Sequence, residues 1–159
     1  MKKMHPLTAF VAGILVAAVL FTGIAGMVLG QDDADGMMTL TVVERATTDV
    51  VADIGDEGDS TGDVLTFANE VYDEANENVI GTDSGYCIRT VAGAVWECNW
   101  TLMLEDGSIV VEGPFLDSGE DTVLAITGGT GAYADASGQM TLNWRNAEGT
   151  EFNFIYELS

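Results

Sequence analysis

SIVVEGPFLDSGEDTVLAITGGTGAYADASGQMTLNW, residues 108–144, decides the fold. Ile109, Val111 and Phe115 alternate with other residues, Val123 to Ile126 form a second apolar run, and Met140, Leu142 and Trp144 alternate again. Gly/Asp/Ser clusters separate these runs, so the period is two and the unit is a β-strand. The stretch reads as three strands of a meander. Within it, Thr127-Gly128-Gly129-Thr130-Gly131-Ala132-Tyr133 reads as a tight turn, because glycine tolerates positive φ and close backbone approach. A structural turn is the reading over a phosphate cradle: no Lys follows the glycines and no helical pattern opens after Gly131.

The same alternation runs through the rest of the chain. Val64 to Tyr72 sends Leu65, Phe67, Asn69 and Val71 to one face and Thr66, Ala68 and Glu70 to the other, a half-buried strand with Asn69 as its inner polar residue. Trp96, Cys98, Trp100, Leu102 and Leu104 oppose Glu97, Asn99 and Thr101, and Phe152, Phe154, Tyr156 and Leu158 oppose Glu151, Asn153 and Glu157. Met37 to Thr48, rich in β-branched residues, is the first strand. With about eight such runs, short turns and no soluble helix, the fold class is all-β: an eight-stranded antiparallel up-and-down barrel, whose closure removes exposed edges.

Two strands flank Val91-Ala92-Gly93-Ala94. If the chain reverses at Ala92-Gly93, Cys87 stands opposite Cys98, Arg89 opposite Trp96 and Gly85 opposite Trp100. Cys87 and Cys98 are the only cysteines. Directly opposed strand residues lie within disulfide reach, and an exported protein meets an oxidising exterior, so a disulfide is expected over two free thiols.

Export is itself read from the N-terminus. Lys2 and Lys3 precede a run without charge from Pro6 to Gly30, so residues 1–30 are a signal peptide or a membrane anchor. An apolar helix is expected there, and residues 6–30 are the candidate tether. The lysines on the inner side place everything after Gly30 outside the cytoplasm. Residues 31–36 form an acidic linker, and residues 37–159 the barrel domain with an acidic loop at 53–63.

All 26 acidic residues follow Gly30, where only Arg45, Arg89 and Arg145 oppose them, and the formal net charge of the whole chain is −21. That field excludes nucleic acid as a partner. It reads as a solubilising coat for a salty exterior, the alternative being a docking surface for a cation or basic partner. Asp53, Asp56, Glu57, Asp59 and Asp63 do not follow a calcium-loop spacing, so their loop reads as a solvated linker. The sole histidine is His5, so no His-based triad or metal site is expected in the exported domain, and no cofactor is.

ITGGTGAYADASGQ resembles the corresponding segment of the allene oxide cyclase and dirigent superfamily, and VVEGPF followed by DTVLAITGG is similar to the cyclase branch. GDVLTFANEVYD and GYCIRTV extend the likeness, which covers Gly62 to Leu142. The resemblance implies a barrel whose apolar cavity folds an unsaturated substrate into the conformer that cyclises, and a dimer or trimer. Cys87 in GYCI matches a family cysteine near the ligand, and Phe67 and Asn69 in TFAN match cavity-lining residues. Where the family carries a Glu-x-Asn pair on its first strand, this chain has Thr41 and Val43, with Glu44-Arg45 just downstream. The implied pocket therefore lacks the first-strand carboxylate.

The candidate catalytic residues are Cys87 and Asn69. The candidate ligand-binding residues are Phe67, Arg89, Trp96, Trp100, Phe115, Trp144, Phe154 and Tyr156. An eight-stranded barrel either fills itself with side chains or holds one small ligand. The expected partner is a small apolar ligand whose isomerisation, cyclisation or coupling the lumen steers; the alternative is a non-catalytic barrel with a packed lumen.

Overall fold

The computed structural model describes residues 37–159 and the backbone of residues 31–32. The expected targeting segment and apolar helix, and most of the linker at 31–36, lie outside the described residues. In chain order the strands are β1 (Gln31–Asp32), β2 (Met38–Arg45), β3 (Val50–Ala52), β4 (Val64–Tyr72), β5 (Val79–Val91), β6 (Val95–Leu104), β7 (Gly107–Leu116), β8 (Thr122–Gly131), β9 (Gly138–Trp144) and β10 (Glu151–Leu158).

Each strand from β4 to β10 pairs antiparallel with the next, β10 pairs with β2, and β2 pairs with β4, which closes an eight-stranded up-and-down barrel. The expected hairpin register is the observed one: Cys87 faces Cys98, Arg89 faces Trp96, and Gly85 faces Trp100. A disulfide joins Cys87 to Cys98. The inward residues read from alternation on β4, β6 and β10 are those that the wall sends inward, with Val71, Trp100, Leu102, Phe154 and Tyr156 among the most buried.

The seam between β2 and β4 departs from the simple pattern. Only Val43–Tyr72 and Glu44–Val71 pair across it, and β3 then resumes beside β4 at Val50–Thr66. In effect β2 and β3 are one strand interrupted at residues 46–49. The side chain of Asn69 fills the interruption: its Oδ1 accepts from the backbone N–H groups of Thr47 and Thr48 and from the Thr48 hydroxyl, each at 3.0 Å. Thr48 Oγ1 in turn accepts from the Ala68 N–H at 2.8 Å. Side-chain bonds thus replace a missing length of backbone ladder.

One local expectation is corrected. The Gly-rich segment is not a turn. Residues 127–131 are the second half of β8, paired with β7 from Val110–Gly128 to Gly107–Gly131, with a bulge that leaves Thr127 unpaired. The reversal comes after Gly131, and a Cβ on Gly129 would collide with the carbonyl oxygens of Tyr133 and Ser108, so glycine is needed for that close packing. The acidic loop is solvated from Asp53 to Asp59, as expected, and is anchored at its end. Buried Asp63 accepts from the N–H groups of Ile54 and Ser60 at 2.8 Å, which holds its carboxyl below the usual range, and its backbone pairs with Arg89.

Candidate active site

One end of the barrel remains open to a cavity of about 220 Å³. Two aromatic clusters line it. Trp100 lies between Phe67 and Phe154, at centroid distances of 6.0 and 5.3 Å, and Trp144 lies between Phe115 and Phe152, at 6.0 and 5.5 Å. The Cys87–Cys98 bridge, Leu65 and Leu142 complete the apolar wall. The remaining interior is filled by Leu40, Leu102, Ile109, Leu124, Met140 and Leu158, none of which reaches the cavity surface. The lumen is therefore half packed and half open, and its open half is smaller than the roughly 300 Å³ at which drug-sized pockets begin.

Trp144 is held at the rim by Gly149, whose φ is +65° and whose position leaves no room for a side chain: a Cβ there would lie 2.8 Å from the indole ring. More open concavities of about 300 and 520 Å³ lie along the end turns, but loop residues form most of their walls.

The polar side of the cavity is acidic. Glu44 is only 5% exposed and, with Asp49, reaches the cavity surface. Asn69 holds both: its Nδ2 donates to Glu44 Oε1 at 2.7 Å and to Asp49 Oδ1 at 3.0 Å. With three bonds accepted and two donated, Asn69 is a fully satisfied positioning residue. Behind Glu44 lies Asp83, 0% exposed, its carboxyl set against that of Glu44 and, among the described residues, without a side-chain N–H donor. Burial pushes its pKa up to about 7. Burial, followed by the charge of Asp83, raises Glu44 well above the ordinary carboxylate range. Two buried carboxyls that repel one another share protons instead of both ionising.

Tyr156 is buried beneath this pair, its hydroxyl near the indole N–H of Trp100, and among the described residues neither group has a partner at hydrogen-bonding geometry. Burial and the nearby carboxyls raise the phenol pKa, so it stays a neutral donor.

A closed antiparallel barrel with an aromatic lumen is an architecture that a family model tests directly. The model described as "Allene oxide cyclase barrel like domain" matches residues 37–154. This chain belongs to the allene oxide cyclase barrel-like family. Among solved structures, the barrel is similar to a pyocyanin demethylase, at 25% identity and a TM-score of 0.65 over 76% of this chain and 99% of that one. It is also similar to AbnU, an exo-specific intermolecular Diels-Alderase, at 17% identity and a TM-score of 0.61 over 77% and 97% of the two chains. The pterocarpan synthase dirigent protein GePTS1 follows at 16% identity and a TM-score of 0.60, over 77% and 86%. These last two likenesses concern the fold alone.

Within this allene oxide cyclase-like barrel, the sequence-derived candidates separate. Phe67, Trp100, Phe115, Trp144 and Phe154 line the cavity, and Asn69 and Tyr156 stand just behind its surface. Cys87 lines the cavity as half of a disulfide, so it offers no thiol there. Arg89 and Trp96, expected in the ligand site, are not on its surface. The Arg89 guanidinium lies 3.8 Å over the Trp96 ring and pairs with Asp59 and Asp117, fastening the acidic loop to the barrel rim.

The expectation of a pocket without a first-strand carboxylate is also corrected. Glu44, the last β2 residue paired with β4 before the interruption, shares the inward face of Leu40 and Val42. Asp83 escaped notice altogether, although the inward series Gly85, Cys87, Arg89, continued back by two residues, reaches it.

Proposed function

We propose that this barrel binds a small, ring-sized apolar ligand in its lumen and steers its cyclisation, isomerisation or coupling. The observation that carries the reading is a buried carboxyl pair, Glu44 and Asp83, at the side of an open aromatic cavity. An all-apolar floor would pack without the cost of burying two acids. Confinement between the aromatic clusters supplies orientation, and Glu44, backed by Asp83 and aimed by Asn69, supplies or takes a proton at the ligand. Names of fold neighbours, a Diels-Alderase and a dirigent protein, agree with chemistry done by holding a substrate in one conformer.

The test is native mass spectrometry of protein from its own host, followed by binding of a neutral naphthalene-sized alcohol to wild type and to Leu142→Trp, which plugs the lumen. One-to-one binding lost in Leu142→Trp is expected. The absence of both a co-purifying ligand and any lumen-dependent binding would overturn the reading.

A second reading has its own support: the cavity is small and half the interior is filled, as a purely structural barrel requires. We also propose that the protein works outside the cytoplasm, secreted or tethered through residues 6–30. The uncharged run from Pro6 to Gly30 and the Cys87–Cys98 bridge support this.

A further inference from the structure

The charges around the lumen have one sign. Glu44, Asp49 and Glu148 are the charged residues on the cavity surface, and Asp83 stands behind them. No cation among the described residues is free to balance them. Arg45 lies 3.7 Å over the Tyr72 ring and donates to Asn76. Arg89 is bound by Asp59 and Asp117, and Arg145 donates to Asn153 and pairs with Glu151 at 3.7 Å. The sequence holds no lysine beyond Lys3 and no histidine beyond His5. Among the described residues, the side-chain N–H donor to Glu44 and Asp49 is the Asn69 amide, and no side-chain N–H group donates to Asp83.

We infer that the ligand of this lumen is a small organic cation, an aromatic amine or ammonium of one or two rings, with its charge against Glu44 and Asp49. This deepens the proposed function and rests on it. The fully buried Asp83 adds to the imbalance: the cluster is short of positive charge, and the cavity is where that charge can enter. The walls suit the same guest, because the faces of Phe67, Trp100, Phe115, Trp144, Phe152 and Phe154 attract cations. An anionic ligand such as a fatty acid carboxylate meets three acids and no counter-charge.

The groups facing the Glu44–Asp83 pair are Asn69 from β4, Asp49 from the strand interruption and Tyr156 from β10, none of them cationic. A bound cation therefore favours the ionised pair, and binding near pH 7 releases a proton.

The test uses 2-naphthylmethylammonium, 2-naphthalenemethanol and 2-naphthoate, three probes of one shape and different charge, titrated calorimetrically in 0.5 M NaCl to screen the acidic surface. The ammonium is expected to bind one-to-one and at least about tenfold more tightly than the alcohol, with proton release seen as a buffer-dependent enthalpy, while naphthoate does not bind. Glu44→Gln should cut that preference to below about threefold. Asp49→Asn, on an exposed segment, should lower it in the same direction and serves if Glu44→Gln does not fold. Alcohol or naphthoate binding as tightly as the ammonium overturns the cation and leaves the lumen as a ligand site. No binding by any of the three overturns both.

Discussion

The amide of Asn69 lies 2.7 Å from the carboxyl of Glu44, so the residue that fills the broken seam of the barrel also aims the acid at its cavity. One side chain serves closure and chemistry. Asn69→Leu leaves two backbone N–H groups and a buried carboxyl without partners and should cost about 2–4 kcal/mol of unfolding free energy in urea titration. Asn69→Asp keeps the acceptor but loses the amide donor and adds a carboxylate to the cluster. Its loss should grow as pH rises, and equal stability to wild type at pH 8 would count against the role assigned to Asn69.

The carboxyl pair sets a pH dependence whose sign is fixed. In the unfolded chain Asp83 and Glu44 ionise near pH 4, whereas in the folded barrel Asp83 holds its proton up to about 7 and Glu44 is raised as well. Between those values the native state binds protons that the unfolded chain has released. The pair's contribution is therefore complete below about pH 4 and is lost as pH climbs through about 7, with a slope of up to about 1.4 kcal/mol per pH unit per proton. Asp63 and Asp73, held low by hydrogen bonds, act oppositely and lose their contribution only on acidification below about pH 4. In 1 M NaCl, urea midpoints of wild type should fall from about pH 5 to 8, and those of Asp83→Asn should fall less. Parallel profiles for the two proteins would remove Asp83 from the explanation.

With 26 acids against five basic residues, self-repulsion across the surface should be relieved by counter-ions. The melting temperature is expected to rise from low to molar NaCl. A flat response would mean that the acidic coat costs the fold nothing.

The Cys87–Cys98 bridge closes a short loop, with a sequence separation of 11, and its removal by Cys87→Ser/Cys98→Ser should cost about 2–3 kcal/mol. Alkylation before and after reduction, read by intact mass, checks the bond itself: two thiols should appear only after reductant.

Much of this architecture was legible because a barrel wall writes itself as period two. The pairing of Cys87 with Cys98 follows from placing one turn, and the inward faces of β4, β6 and β10 follow from counting. The acids were harder to see. Glu44 is the last but one residue of a strand that reads as if it ran on to Thr48, because Ala46, Thr47 and Thr48 carry no breaker; the interruption depends on Asn69, more than twenty residues away. Asp83 sits among Gly, Thr and Ser, where a buried charge has no apolar neighbours in sequence to mark it. The glycines of β8 mislead in the opposite sense, since they permit strand-to-strand contact and a bulge as readily as a reversal.

The seam also fixes where the cylinder breathes. Its backbone ladder between β2 and β4 is two residue pairs long, with two amides tied to a side chain in place of a neighbouring strand. The amide hydrogens of Thr47 and Thr48 should thus trade for deuterium well ahead of those in the long β5–β6 ladder. A wall that parts most readily beside its own acids gives bulk water a short route for returning protons to them.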